Sequence, residues 1–173
     1  MEKTYPHRYE TQAMVDASAP AVFEQLDDHT RLSSHMEKSS WMMFGSRMEL
    51  HLDDARGQAV GSRIRLGGRV LGIPLAVEEV ITERIPPTRK VWETTGTPQL
   101  LVIGPYRMGF EITPAGRNAR LRVFIEYALP RGSTRILGLL LGPAYARWCV
   151  RRMVQDAVSR FSAGGSGEQR RAV

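Results

Sequence analysis

Apolar and polar residues alternate along most of the middle of the chain, from residue 41 to residue 130. This period of two is typical of strands with one buried and one solvated face. Leu121, Val123 and Ile125 occupy one face of such a strand, whereas Arg122 and Glu126 occupy the other. Turn-forming residues divide the region at 67–68, 86–87, 96–98 and 114–118. The pattern therefore predicts six strands joined by short connections, which makes them antiparallel.

The N-terminal part predicts one further strand followed by two short helices. Residues 8–17 form the strand, and the sequence then turns at Ser18-Ala19-Pro20. Ser18 is suited to cap a helix and Pro20 to occupy its first turn. Its apolar side would carry Val22, Phe23 and Leu26. A second short helix is predicted over residues 30–36, capped by the hydroxyl of Thr30.

The C-terminal part returns to a helical period. Ala146, Val150 and Met153 begin a series of apolar residues at spacings of three and four, which predicts a long amphipathic helix. Gly142-Pro143 predicts a kink or a break before residue 144, because proline lacks the backbone donor. The glycine-rich stretch at 163–167 predicts that a single domain, residues 1–163, ends there, and that residues 164–173 form a disordered tail.

The 173 residues, 42% of them apolar, are enough for one soluble domain to fold without disulfides, and the only cysteine is Cys149. A net charge of +6 would suit a nucleic-acid-binding protein. The arginines are nevertheless scattered among acidic residues, as on a solvated sheet face, and we predict no nucleic-acid partner. The longest aliphatic run, residues 136–141, is far short of the ~20 residues that span a bilayer. We therefore expect a cytoplasmic protein with no integral membrane segment, of unspecified oligomeric state.

The order of the predicted elements resembles the SRPBCC/START-like helix-grip superfamily. Three segments carry the resemblance: residues 18–23 (SAPAVF), residues 80–87 (VITERIPP) and residues 111–116 (EITPAG). The superfamily includes START lipid-transfer domains, the major birch pollen allergen and the bacterial polyketide cyclase/dehydrase-like branch. The resemblance covers residues 8–162. It implies an α+β helix-grip fold, in which a seven-stranded antiparallel sheet wraps around the C-terminal helix and encloses an apolar cavity.

Strand parity identifies side chains that would line such a cavity. The alternative for these residues is a filled core. We predict that the following residues bind the ligand: Phe44, Met48, Val77, Glu79, Trp92, Val102, Tyr106, Met108, Phe110, Val123, Ile125, Tyr127, Ala146, Val150 and Met153.

Glu79 is the candidate catalytic residue. It shares parity with Val77 and Ile81, so its carboxyl group points into the apolar side, where it must find a donor or keep its proton. The alternatives are a bulge that turns Glu79 outward and an ion pair with an inward arginine. Tyr106 and Tyr127 offer hydroxyl groups to a ligand or complete the core. The parity of the strand that carries Trp92 is ambiguous, so its indole either closes the cavity or packs.

The remaining reactive side chains form no recognisable site. The four histidines lack the spacing of metal ligands, so no metal is predicted. Cys149 has no accompanying base and is expected to be an inert packing residue. No phosphate loop or dinucleotide fingerprint is present, and no cofactor is predicted.

The predicted function is the binding, and possible transport, of a hydrophobic small molecule or lipid in an internal cavity. The alternative is an enzyme resembling the polyketide cyclases and dehydratases, in which an inward carboxylate or tyrosine transfers a proton. The residue pattern leaves open whether the protein is an enzyme. A third alternative concerns the aliphatic run 136–141 near Arg131, Arg135 and Arg147, which would either contact a membrane or form a roof over the cavity. The roof is the preferred interpretation.

Overall fold

The computed structural model describes residues 4–32, 48–70 and 72–168, and only the backbone of residues 31, 32, 48, 70 and 163–168. One sheet and three α-helices make up this part of the chain. The elements are β1 His7–Val15, α1 Ala19–Asp27, α2 His29–Leu32, β2 Met48–Leu52, β3 Arg63–Val70, β4 Ile73–Ile85, β5 Arg89–Gln99, β6 Tyr106–Ala115, β7 Asn118–Tyr127 and α3 Arg135–Glu168, with a short 3-10 turn at Gly132–Thr134. The strands pair antiparallel in the order β1-β7-β6-β5-β4-β3-β2, and α3 packs on the sheet. The predicted helix-grip fold is confirmed.

The inner face of the sheet and the facing sides of α1 and α3 form one hydrophobic core. The predicted apolar face of α1 contributes Val22, Phe23 and Leu26, all buried. Phe23 meets Phe110 of β6 edge to face, with the ring centroids 5.7 Å apart. The helical spacing in α3 likewise buries Ala146, Val150, Met153, Val154 and Ala157.

Several predicted turns lie elsewhere in the structure. Gly67 and Gly68 are not a turn but paired residues of β3, opposite Ala76 and Leu75. The reversal falls at Gly72, whose φ of +81° suits glycine. Val60 precedes β3 and is 63% exposed, although it has the same parity as the buried Ile64.

The fifth strand extends further than predicted, and so do the facing ends of the sixth and seventh strands. β5 continues through Gly96, which had been expected to close it. The predicted loop 114–118 shrinks to the two residues Gly116 and Arg117, because Ala115 already pairs with Asn118. Gly116 has a φ of +67°, which fits the tight two-residue hairpins that a twisted sheet favours.

The N-terminal caps differ from the expected ones. Ser18 occupies the N-cap position of α1 in extended conformation, but its side chain makes no capping hydrogen bond. At α2 the cap is Asp28, whose carboxylate accepts a hydrogen bond from the backbone N–H of Thr30 at 2.9 Å. The prediction that Thr30 caps this helix is therefore wrong, because the capping residue lies two positions earlier. Residues 33–36 of the predicted second helix lie outside the described residues.

The long C-terminal helix runs without the break predicted before residue 144. Pro143 lies inside α3. The carbonyl of Leu139, which loses its usual donor to proline, lies on an exposed side of the helix where water can replace that donor. The helix extends to Glu168, past the glycine-rich stretch, and the domain boundary at 163 stays a prediction. No helix in the described part of the chain has the length and apolarity needed to cross a bilayer.

The outer face of the sheet carries ion pairs between neighbouring strands. Glu78 of β4 accepts hydrogen bonds from Arg63 at 2.6 Å and Arg65 at 2.7 Å. Arg8 of β1 bonds Glu126 of β7 at 2.6 Å. These pairs match the solvated face predicted from the scattered charges, and at such exposure they add little to stability.

Candidate functional site

Glu79 lies on the buried face of β4, as its parity predicted. Val77 and Ile81 on either side of it are buried, and Glu79 itself is only 4% exposed. The pairing of β4 with β5 is irregular both before and after this residue, yet Glu79 is not turned outward. Among the described residues, no arginine neutralises it. Its partners are instead two aromatic side chains that carry hydrogen-bond donors.

A tyrosine and a tryptophan from the next two strands donate to this carboxylate. The Tyr106 hydroxyl donates to Oε1 of Glu79, and the Trp92 side chain forms a second hydrogen bond with the carboxylate. Thr94 pairs with Glu79 across the strands, and its hydroxyl accepts the backbone N–H of Tyr106 at 3.2 Å. The start of β6 is thereby fixed beside the carboxylate. The ambiguous parity of β5 is resolved, because Trp92 points inward and is 3% exposed.

Burial sets the protonation of this site. It raises the pKa of Glu79 to about 7, although the hydrogen bonds from Tyr106 and Trp92 act in the opposite direction. Burial and the neighbouring carboxylate also raise the pKa of Tyr106 well above its ordinary value. Near neutral pH, Glu79 therefore exists in both protonation states, whereas Tyr106 keeps its proton.

Helix α3 adds two more polar side chains next to Tyr106. Tyr145 and Cys149, one turn apart, are hydrogen-bonded to each other and interact electrostatically with Tyr106. Burial raises the pKa of the Cys149 thiol to about 12, which fits the inert packing residue expected from the sequence. The five side chains Glu79, Trp92, Tyr106, Tyr145 and Cys149 are called the polar cluster below.

Apolar residues surround the polar cluster, and most of the predicted ligand-binding residues are among them. Eight of these predicted residues are buried in the single core that joins the sheet to α3. They are Val77, Met108, Phe110, Val123, Ile125, Ala146, Val150 and Met153. Whether they line an internal space or fill it stays a prediction.

Four predicted site residues need separate mention. Tyr127 is buried, but its ring stacks on His7 with centroids 5.2 Å apart, and it takes no part in the polar cluster. Val102 was wrongly placed on a strand. It lies in the β5–β6 loop and is half-buried, because the chain does not re-enter the sheet until after Pro105. Phe44 lies outside the described residues, and of Met48 only the backbone is described.

A second buried group, which the sequence reasoning missed, is centred on Lys90. This lysine of β5 is fully buried. Its ammonium group donates to the backbone carbonyl and to Oδ1 of Asp27, both at 2.8 Å, and lies 3.2 Å from Nδ1 of His29. Arg84 also bonds the Asp27 carboxylate, at 2.8 Å. The lysine therefore ties the end of α1 and the start of α2 to the sheet. Lys90, Asp27, His29 and Arg84 are called the lysine cluster below.

The lysine cluster lies beside the polar cluster. The ring of His29 meets that of Trp92 edge to face, with centroids 5.2 Å apart. Burial and the neighbouring ammonium lower the pKa of His29 to about 3, so the ring is neutral near pH 7. One sequence signal could have found this group. Lys90 has the parity of Trp92, so an inward Trp92 requires an inward lysine, which in turn requires a carboxylate.

An open groove of about 660 Å³ runs along the β3–β5 part of the sheet, where its lining includes the core residues Leu66 and Val77. Its lining includes Arg63, Arg65 and Glu78, which already neutralise each other. The polar cluster, where a carboxylate is buried with no cation beside it in the described part of the chain, is the stronger candidate for a functional site.

Comparison with known proteins agrees with this fold. An aromatase/cyclase (Zhui) from Streptomyces sp. R1128 superposes with a TM-score of 0.67 over 90% of this chain and 93% of its own, at 12% identity. A protein from Thermus thermophilus gives a TM-score of 0.62 over 91% and 99%, at 14% identity. Norcoclaurine synthase from Thalictrum flavum gives 0.58 over 88% and 84%, at 15% identity. At these identities the likeness concerns the fold.

The sequence itself identifies the family. A comparison with curated proteins finds no significant match. The family described as polyketide cyclase/dehydrase and lipid transport, by contrast, matches residues 6–163. The match includes every described strand and almost all of α3. The chain therefore belongs to the polyketide cyclase/dehydrase and lipid transport family.

Proposed function

We propose that the protein binds a hydrophobic small molecule, such as a lipid or a polyketide-like compound, between the sheet and α3. The observation that carries this proposal is the polar cluster: a carboxyl group enclosed by aliphatic and aromatic side chains, whose described partners include no cation. Ligand sites commonly combine apolar walls with a few convergent polar groups of this kind. Membership of a family that includes lipid transport supports the same interpretation.

Binding would be driven by the walls and directed by the cluster. Burial of apolar ligand surface contributes roughly 25 cal/mol per Å². Glu79 can accept a hydrogen bond when ionised and donate one when protonated, and its pKa of about 7 makes both states available. The preferred ligand is therefore a mostly apolar molecule with a hydroxyl, carbonyl or amine group near one end.

Val150→Phe tests whether there is room for a ligand. Val150 is fully buried on the side of α3 that faces the sheet. If the interior is hollow, the larger ring is accommodated and weakens binding of a fluorescent fatty acid, 11-(dansylamino)undecanoic acid, about tenfold or more. The free energy of unfolding then changes little. A titration of the probe and a urea unfolding curve for each protein measure the two quantities.

A filled interior gives the opposite pair of results. Overpacking a dense core by Phe costs about 1–3 kcal/mol, and the wild type would then fail to bind the probe. That combination contradicts the proposal. Native mass spectrometry of the purified protein, followed by organic extraction, is an independent test because it assumes no particular ligand. An apolar compound that copurifies with the chain supports binding.

A second candidate function is a cyclase- or dehydratase-like proton transfer. The specific observation in its favour is the Glu79–Tyr106 pair, in which a carboxyl group with a pKa of about 7 is bonded to a tyrosine that keeps its proton. A group whose pKa is near the working pH is an efficient general acid or base. In this role Glu79 would remove a proton from an enolisable carbon of a poly-β-ketone. The Tyr106 hydroxyl, released from the carboxylate once Glu79 is protonated, would then donate its hydrogen bond to the enolate oxygen that the step creates.

Glu79→Gln tests this second function. On a short poly-β-ketone thioester, the variant is expected to lose about 10²-fold or more in turnover, because the amide cannot exchange the proton. The matched control is Glu78→Gln, the adjacent residue on the outer face, which should keep full turnover. Product formation by liquid chromatography gives both rates. Equal turnover in wild type and Glu79→Gln would exclude the carboxyl group from the reaction.

A further inference from the structure

The first two turns of α3 expose an unusual concentration of large aliphatic side chains. Nine large hydrophobic residues are exposed in the described part of the chain, and five of them fall within six consecutive positions. Their exposed fractions run from 37% to 73%. They are Ile136, Leu137, Leu139, Leu140 and Leu141, called the leucine patch below. Contiguous apolar surface of this kind is typical of an interaction site.

Two glycines explain why the leucine patch points outward. A Cβ on Gly138 would lie 2.5 Å from the Pro130 ring, and one on Gly142 would lie 2.9 Å from the carbonyl oxygen of Val102. The side of the helix that faces the protein is therefore its glycine side, and the backbone rests directly on the neighbouring loops. The large side chains occupy the rest of the circumference. All five are exposed, and none belongs to the core that the described residues form, so they do not form the predicted roof over the interior.

The charges around the leucine patch have one sign. From Glu126 to the next acidic residue, Asp156, the chain contains five arginines and no carboxylate. Arg131 and Arg135 precede the patch, Arg147 follows it, and all three are exposed. No ion pair between these three arginines and a carboxylate is found among the described residues. On the sheet, by contrast, the arginines are paired with glutamates.

We propose that the leucine patch docks the protein on the surface of a membrane that contains anionic lipid. An apolar helix face with basic flanks is the combination that inserts side chains at the acyl boundary while arginines bind phosphate groups. A second copy of the chain fits less well, because two identical patches would bring like-charged arginines together. The proposal does not depend on what binds in the interior.

Flotation with vesicles tests the proposal on the full chain. We expect binding at low salt to vesicles of phosphatidylcholine mixed with phosphatidylglycerol, about tenfold stronger than to phosphatidylcholine alone, and weakened by added salt. The double variant Leu139→Glu/Leu140→Glu should abolish binding. Arg131→Gln/Arg135→Gln should reduce binding to the anionic vesicles towards the level of phosphatidylcholine. The matched control is Val60→Glu, which adds a charge at an exposed apolar residue outside the patch and should bind like the wild type.

Three outcomes would overturn the proposal. The first is no flotation with either vesicle at low salt, and the second is flotation that survives the leucine double variant. The third is a dimer, seen by sedimentation without lipid, that the leucine double variant dissociates while the wild type fails to bind vesicles. That result would assign the patch to self-association. Circular dichroism of the variants verifies that each remains folded.

Discussion

Lys90→Met is expected to lower the free energy of unfolding by roughly 3–5 kcal/mol, the usual loss when one partner of a buried ion pair is removed. The variant leaves the backbone carbonyl of Asp27 without the ammonium donor, removes one of the two donors to Oδ1 of Asp27, and takes the ammonium group away from Nδ1 of His29. Arg84 still bonds Asp27, so the carboxylate keeps part of its compensation. Urea unfolding at neutral pH, followed by circular dichroism, measures the loss.

Arg65→Met is the matched control for this prediction. It also replaces a cation of the sheet that is bonded to a carboxylate, but this pair lies on the outer face and the arginine side chain is 68% exposed. Because water and salt already solvate that pair, a far smaller change is expected. If both variants unfold at the same urea concentration as the wild type, the lysine cluster does not stabilise the fold in the way its contacts imply.

The second large effect is a pH dependence of stability that Glu79→Gln removes. Burial raises the pKa of Glu79 from 4.5 to about 7, so the folded chain keeps a proton that the unfolded chain releases. The protonated carboxyl contributes stability fully below pH 4.5, and this contribution is lost as the pH rises to about 7. A shift of this size corresponds to a loss on the order of 3 kcal/mol. The amide has no proton to release, so the variant should gain that amount relative to the wild type between about pH 4 and about pH 8.

The contribution of His29 to the free energy of unfolding changes with pH in the opposite direction. It must therefore be the same in the two proteins that are compared. The pKa of His29 is lowered from 6.5 to about 3, so its contribution is full above pH 6.5 and is lost as the pH falls towards 3. In the wild type, a rise in pH between 4.5 and 6.5 lowers stability through Glu79 and raises it through His29. Subtracting the wild-type curve from that of Glu79→Gln cancels His29 and isolates Glu79. A difference that does not vary across this range would contradict the raised pKa.

The lysine cluster and the polar cluster differ in how far the sequence could predict them. Glu79 was found because a carboxylate in register with Val77 and Ile81 must point inward, whatever it meets there. Lys90 was missed because Lys90, Val91 and Trp92 are all buried, which hides the alternation of their strand. Its partner Asp27 is 63 positions away along the chain. A contact at that separation is created by the sheet, and no local pattern records it.

The sequence by itself determined the number of strands, their antiparallel pairing, the amphipathic C-terminal helix and the inward direction of Glu79. Each of these follows from the period of apolar residues and from turn chemistry, which act over a few residues. Only the tertiary structure decided which groups donate hydrogen bonds to the Glu79 carboxylate, which carboxylate pairs with Lys90, and which way the aliphatic run of α3 faces. Those outcomes depend on contacts between distant segments. Gly138 and Gly142 show the physical reason: the side of a helix that packs is the one whose side chains leave room for the neighbouring backbone, and here that side is glycine rather than leucine.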